Sequence, residues 1–201
     1  MIVSAVLLSI AITSSPCQER AFRQINRLAM GDERKPVLFR LVTEFHQGGT
    51  YDRPQPAGMT LAVYPGRAYA TAEFAEAYEW PNGNIFNTGK EKAEIDETLA
   101  QSLSNRLWRE IDRIRHEQGG WVIVCMDNCT DYQLLRESDC QQIQGDFWRS
   151  WPGRVARVLD KLTKKEVDRG GAEKELRALL DETTSTLPRN PTIGPAPNVS
   201  P

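Results

Sequence analysis

The chain has 201 residues, 40% apolar and 26% charged, with a formal net charge of −2. That is the size and composition of one ordinary domain with tails. It excludes the basic face that nucleic-acid binding needs and the polybasic segment that an anionic membrane surface attracts.

The chain begins MIVSAVLLSIAITSSPCQER, with no charged side chain before Glu19. The apolar run over residues 2–12 has the length of a secretory h-region, roughly 7–15 residues, and falls short of the ~20 that span a bilayer. Its n-region lacks Lys and Arg, and a buried N-terminal strand or helix is the rival reading. The uninterrupted run, followed at once by charge, favours a signal peptide over residues 1–17 and a periplasmic or extracellular product without a transmembrane helix. Ser15 and Cys17 are small enough for positions −3 and −1 of a cleavage site, which would leave Gln18 first; cleavage after Ser15 is the other option. Ser14-Ser15-Pro16-Cys17 also resembles a lipidation box with Cys17 acylated, although a proline directly before that cysteine argues against a lipid anchor.

Residues 18–30 place Phe22, Ile25, Leu28 and Ala29 on one helical face, with Gly31 as a stop. Residues 37–46 alternate and end before Gly48-Gly49, the pattern of a strand. Met59, Leu61 and Val63 alternate toward Pro65-Gly66, and Ala68, Ala70, Ala72 and Phe74 alternate away from it. That pattern predicts a β-hairpin. Residues 75–90 read as a loop with Pro81-Asn82-Gly83 as its turn. Residues 91–99 fit a strand or a helix equally. Ser104 reads as a helix cap, with Leu103 and Trp108 as a hydrophobic staple, and Gly119-Gly120 as the end of that helix.

Residues 121–125 read as a short buried strand, Asp127-Asn128 as a turn and residues 130–135 as the returning partner. Pro152 opens a further helix, Gly170-Gly171 breaks it, and residues 172–181 form a short charged one. The end, TLPRNPTIGPAPNVSP, is rich in proline and predicts a disordered tail over 183–201. The order of elements predicts one α+β domain over 18–182, an antiparallel sheet built from hairpins with helices packed on one face.

The stretch WVIVCMDNCTDYQLLRESDC concentrates three cysteines and three aspartates. In an exported chain Cys125, Cys129 and Cys140 are candidates for a disulfide, with Cys129 to Cys140 the favoured pairing and Cys125 to Cys140 its rival. Zinc would take the three thiolates and His116 or His46, but the C-x2-C spacing of common structural sites is missing. A redox pair would sit as C-x-x-C at a helix start, and this one does not. Asp127, Asp131 and Asp139 lack the spacing and closing glutamate of a calcium loop.

Glu44 and His46 share a strand face and could work as an acid–base pair with an aspartate of the 127–131 turn, a hydrolytic alternative. No G-x-S-x-G, H-E-x-x-H, phosphate loop or dinucleotide fingerprint accompanies them, so no catalytic residue, metal or cofactor is assigned. Aromatic residues give the remaining signal. Phe147, Trp148 and Trp151 suit a core. Tyr78, Trp80 and Phe86 flank turn residues, where an exposed group would anchor a protein or envelope partner. The reading is therefore a small exported protein without catalytic activity that acts by binding. A thiol or zinc protein using Cys125, Cys129 and Cys140 is the third alternative.

Overall fold

The computed structural model describes residues 15–27, 35–46, 52–117, 129–136, 139–145 and 147–182. Residues 1–14 of the leader expected over 1–17, the strand over 121–125 with Cys125 and Asp127, and the proline-rich tail lie outside the described residues. So do the side chains of His46 and Cys129.

Four helices and seven strands are described. They are α1 (Pro16–Arg27), β1 (Phe39–His46), β2 (Gln55–Tyr64), β3 (Tyr69–Glu79), β4 (Ile85–Asn87), β5 (Glu91–Asp96), α2 (Glu97–Glu117), β6 (Cys129–Arg136), β7 (Asp139–Gly145), α3 (Trp151–Thr163) and α4 (Arg169–Asp181). The sheet is antiparallel throughout, in the order β4-β3-β2-β1-β6-β7, with β5 on the same edge of β3 as β4. This is the α+β architecture that the sequence predicts.

Alternation fixes the two faces. Phe39, Leu41, Leu61, Val63, Phe74 and Leu134 point to one side, where they join the main core with α2, α3 and α4. The stripe of α2 is Leu99, Ala100, Leu103, Leu107, Ile111 and Ile114, all buried, at the spacing of one helical face. Val42 and Leu135 point to the other side, against Ala21, Ile25 and Phe22 of α1. Helices therefore lie on both faces, three on one and α1 on the other. β2 is buried on both faces from Ala57 to Tyr64.

The helical layer is closed by polar ties at its far end. Trp151 Nε1 donates to the Leu179 carbonyl at 3.0 Å, and Arg106 donates to the carbonyls of Leu180 and Glu182 at 3.1 and 2.9 Å. Cationic donors at a helix C-terminus meet the carbonyls that have no partner within the helix. Arg154 holds the Glu182 carboxylate with both terminal nitrogens, at 2.8 and 2.6 Å.

Several boundaries differ from the expected ones, each for a local reason. α2 starts at Glu97, because Asp96 Oδ1 accepts the Leu99 amide at 2.8 Å and caps it first. Ser104 is thus no cap; it sits inside α2 and donates to the Leu38 carbonyl at 2.8 Å. Residues 91–96 are strand. α4 starts before Gly170-Gly171, since Asp168 accepts the Gly171 amide at 2.7 Å. The break falls instead at Lys165, which has φ of 59°. The partner of residues 130–135 is β7, whose glutamine-rich sequence DCQQIQG gave no strand signal. The 75–90 segment is not all loop: β3 runs on to Glu79 and β4 pairs with it.

Leu103 has no exposure. Leu103→Ala is expected to cost about 2–5 kcal/mol, read from urea unfolding, whereas Asn105→Ala on the exposed face of α2 should stay within about 0.5 kcal/mol.

Candidate partner-binding site

The extension of β3 places Tyr78 opposite Phe86 of β4. Residues directly opposite in an antiparallel pair bring their side chains together, and the two rings stack with centroids 5.6 Å apart and planes 18° apart. Trp80 follows Tyr78 by two residues, so it leans to the same face, with its ring 5.9 Å from Phe86. The result is a ladder of three aromatic rings at one corner of the sheet. Trp80 is 46% exposed and Phe86 40% exposed, large values for residues of this type. The ladder lies on the core-facing side of β3, beyond the point where α3 stops covering it. Lys164, just past the end of α3, reaches Glu76 at 3.6 Å.

A tight turn holds Trp80 in place. The Trp80 amide donates to Asn84 O and the Gly83 amide to Trp80 O, both at 2.8 Å. Asn82 Oδ1 accepts the Asn84 amide at 3.0 Å. Gly83 has φ of 82°, a conformation that glycine adopts without strain. The rim is acidic. Glu76 Oε2 accepts from the Tyr78 hydroxyl at 3.4 Å, and Glu79 is paired with Arg27 at 3.1 Å. Burial raises the Tyr78 phenol above its ordinary 10.0, and the Glu76 charge raises it further.

The other predicted site residues are used differently. Cys140 is bridged, but its partner is Cys17, with 5.8 Å between the Cα atoms. The expected pairing to Cys129 fails on register. Cys140 stands opposite Leu135, near the β6–β7 turn, whereas Cys129 is at the far end of β6. At roughly 3.3 Å per residue the two are about 20 Å apart along the strand, well beyond the ~7 Å limit of a disulfide. The rival pairing of Cys125 with Cys140 is likewise excluded, because Cys140 has already taken Cys17. A sulfur in a disulfide cannot also carry a thioether lipid.

The stretch read as a cleavage or lipidation box is the start of α1. Ser15 Oγ accepts the Gln18 amide at 3.3 Å, and Gln18 Oε1 accepts the Ser15 amide at 2.9 Å. With Pro16 between them as the first helical residue, this is a capping box. The S-x-x-Q spacing was the signal that could have located it.

Glu44 and Asp131 are opposite each other on β1 and β6. They do converge, but beneath α1, where Arg20 is paired with both carboxylates and Arg27 with Glu44 at 3.3 Å. Their role is to dock the helix. Among the described residues no group of three His, Cys, Asp or Glu side chains is arranged to hold a metal, and no helix is long and apolar enough to cross a membrane. A shallow groove of about 540 Å³ lies elsewhere, lined by Lys92, Glu94, Lys165, Val167, Asp168 and Arg169. Its mixed charges, and the Asp168 carboxylate already capping α4, leave no anion site there.

No family model, curated protein or solved structure matches this chain.

Two outcomes follow. The disulfide closes a separation of 123 residues, so Cys140→Ser should cost about 2–5 kcal/mol in urea unfolding. Cys17→Ser should cost the same, and the double variant no more than either. A Cys129→Ser variant with that loss instead would contradict the pairing. Second, Glu76→Gln removes a charge that opposes phenolate formation, so Tyr78 should titrate at lower pH, closer to 10, as followed by absorbance near 295 nm.

Proposed function

We propose that this is a small exported, non-catalytic α+β protein that acts by binding, with Tyr78, Trp80 and Phe86 as its docking surface. The observation that carries the reading is the exposed aromatic ladder held by a tight turn. Apolar rings left partly in water at a fixed position have the composition of a binding hot spot. A surface fixed before binding loses little conformational entropy on association.

Two features support export. The apolar run over residues 2–12 has the length of a leader, and a disulfide such as Cys17 to Cys140 persists in an oxidising compartment. Under this reading processing falls upstream of Ser15, so that the capping box and Cys17 are retained.

The hydrolytic alternative loses its support, because Glu44 and Asp131 are committed to arginines under α1. The thiol or zinc alternative loses Cys140, which is in the disulfide.

The test pairs location with the patch. The mature protein should be recovered outside the cytosol, and Trp80→Ser with Phe86→Ser should abolish its retention on its partner fraction. Because neither side chain belongs to the buried core, the unfolding midpoint should change far less than it does for Leu103→Ala. Undiminished retention by that double variant would overturn the binding role of the ladder.

A further inference from the structure

We propose that the open edge of β5 takes an extended segment of a partner protein as an added antiparallel strand, with an arginine or lysine of that segment opposite Glu94 and an apolar residue directly after it. This site is separate from the aromatic ladder and does not depend on the ladder's role.

Hydrogen-bond parity identifies the edge. In an antiparallel pair, residues alternate between those that bond the neighbouring strand and those whose amide and carbonyl point away from it. The Glu97 amide donates to the Ala68 carbonyl at 3.2 Å, in the register that continues Tyr69 with Asp96 and Ala70 with Ile95. Ile95, Ala93 and Glu91 therefore bond β3, while Asp96, Glu94 and Lys92 turn their backbone groups outward. The Asp96 amide agrees with this parity, since it donates to Glu173 Oε1 of α4 at 3.0 Å. α4 supplies an acceptor at that end of the edge and no further. Among the described residues β5 pairs with β3 alone, and the outward groups of Glu94 and Lys92 have no hydrogen-bond partner. They are two donors and two acceptors repeating at about 6.7 Å along the strand, the repeat that an added strand matches. The β5 register is unbroken, with no bulge or proline to close the edge.

A groove beside the edge has room for a side chain. It is the groove of about 540 Å³ between β5 and the turn from α3 to α4. Ala93, Leu162 and Val167 line it and continue the main core. In an added strand the residue opposite Ala93 points to this side, and its two neighbours point to the other. On that other row Lys92 is already taken by Glu73 at 3.2 Å. Glu94 is exposed and has no ion-pair partner among the described residues. An unpaired carboxylate favours a cation directly across the strands. Antiparallel polarity then sets the order, because the residue opposite Glu94 precedes the one opposite Ala93.

The test uses the 15N-labelled full chain and the blocked hexapeptide acetyl-STRVTS-amide. The Lys92 and Glu94 amide protons are expected to move downfield on titration and to exchange with solvent at least about tenfold more slowly. Ala93 and Ile95, already bonded to β3, should change little. N-methylation of the peptide's arginine removes the donor facing Glu94 and should abolish the shifts. N-methylation of its valine, whose amide points away from β5, should leave them in place. Glu94→Pro removes one outward amide without touching the β3 ladder and should abolish binding. Glu94→Lys should weaken it by about threefold to tenfold. Lys92 and Glu94 amides that stay in place at millimolar peptide overturn the proposal. So does equal loss on methylating either residue, because the contact would then not be strand addition. Shifts confined to Trp80 and Phe86 overturn it by placing the peptide on the ladder. Edge shifts that grow with protein concentration without peptide overturn it by making a second copy the occupant.

Discussion

The covalent tie between Cys17 and Cys140 is the constraint on which the arrangement depends. It joins the first turn of α1 to the start of β7, the last strand of the sheet on that side. Everything from β1 to β6 lies between these points in sequence. A sheet with apolar side chains on both faces needs cover on both, and the three later helices supply it on one only. On the other, α1 buries Ala21 and Ile25 against Val42 and Leu135. A single 12-residue helix is too short to be stable alone in water. The capping box at Ser15 and Gln18 starts it, the disulfide fixes one end, and Arg20 and Arg27 bind it to Glu44, Asp131 and Glu79 along its length.

The two sides of the sheet divide the work. At the β6–β7 side both faces are covered and the chain is cross-linked. At the opposite corner, β3 runs on past the helical layer and turns back into the short strand β4. That corner keeps its aromatic side chains but loses the helices that would bury them. The exposed ladder is thus a consequence of strand length: β3 is longer than the helices above it. The charged pairs of Glu76 with Lys164 and Glu79 with Arg27 keep the corner hydrated, and the shortness of β4 limits sheet-to-sheet pairing at that edge.

Much of the fold was legible because it follows side-chain periodicity. The Met59, Leu61, Val63 alternation and the Pro65-Gly66 turn located the central hairpin. The Pro152 start and the Val155, Val158, Leu159, Leu162 spacing located α3; its cap is Ser150, which accepts the Gly153 amide and was not singled out in the sequence. Three features were hidden. β7 gave no strand signal because its row Cys140, Gln142 and Gln144 faces away from the main core, and a further glutamine, Gln141, is buried beside Ile143 on the core-facing row. α2 was placed late because Asp96 and Ser104 are both plausible caps, and strand β5 leads straight into Asp96. The disulfide partner was missed because pairing depends on which ends of strands meet, and spacing in sequence does not encode that. For the site, Tyr78, Trp80 and Phe86 were named from their neighbours. What the sequence did not carry was the cross-strand register that puts Tyr78 and Phe86 face to face. The carboxylates Glu44 and Asp131 entered only the hydrolytic alternative, and their docking role was hidden because their arginine partners lie in another element, more than a hundred residues away for Asp131.

The measurement that bears most directly on this account is a non-reducing peptide map of the protein recovered from its native compartment. The account requires a cross-linked pair of peptides, one containing Cys17 and the other Cys140, with residues upstream of Ser15 removed. A Cys17 peptide that is reduced or lipidated, or a Cys140 peptide joined to Cys129, would contradict it.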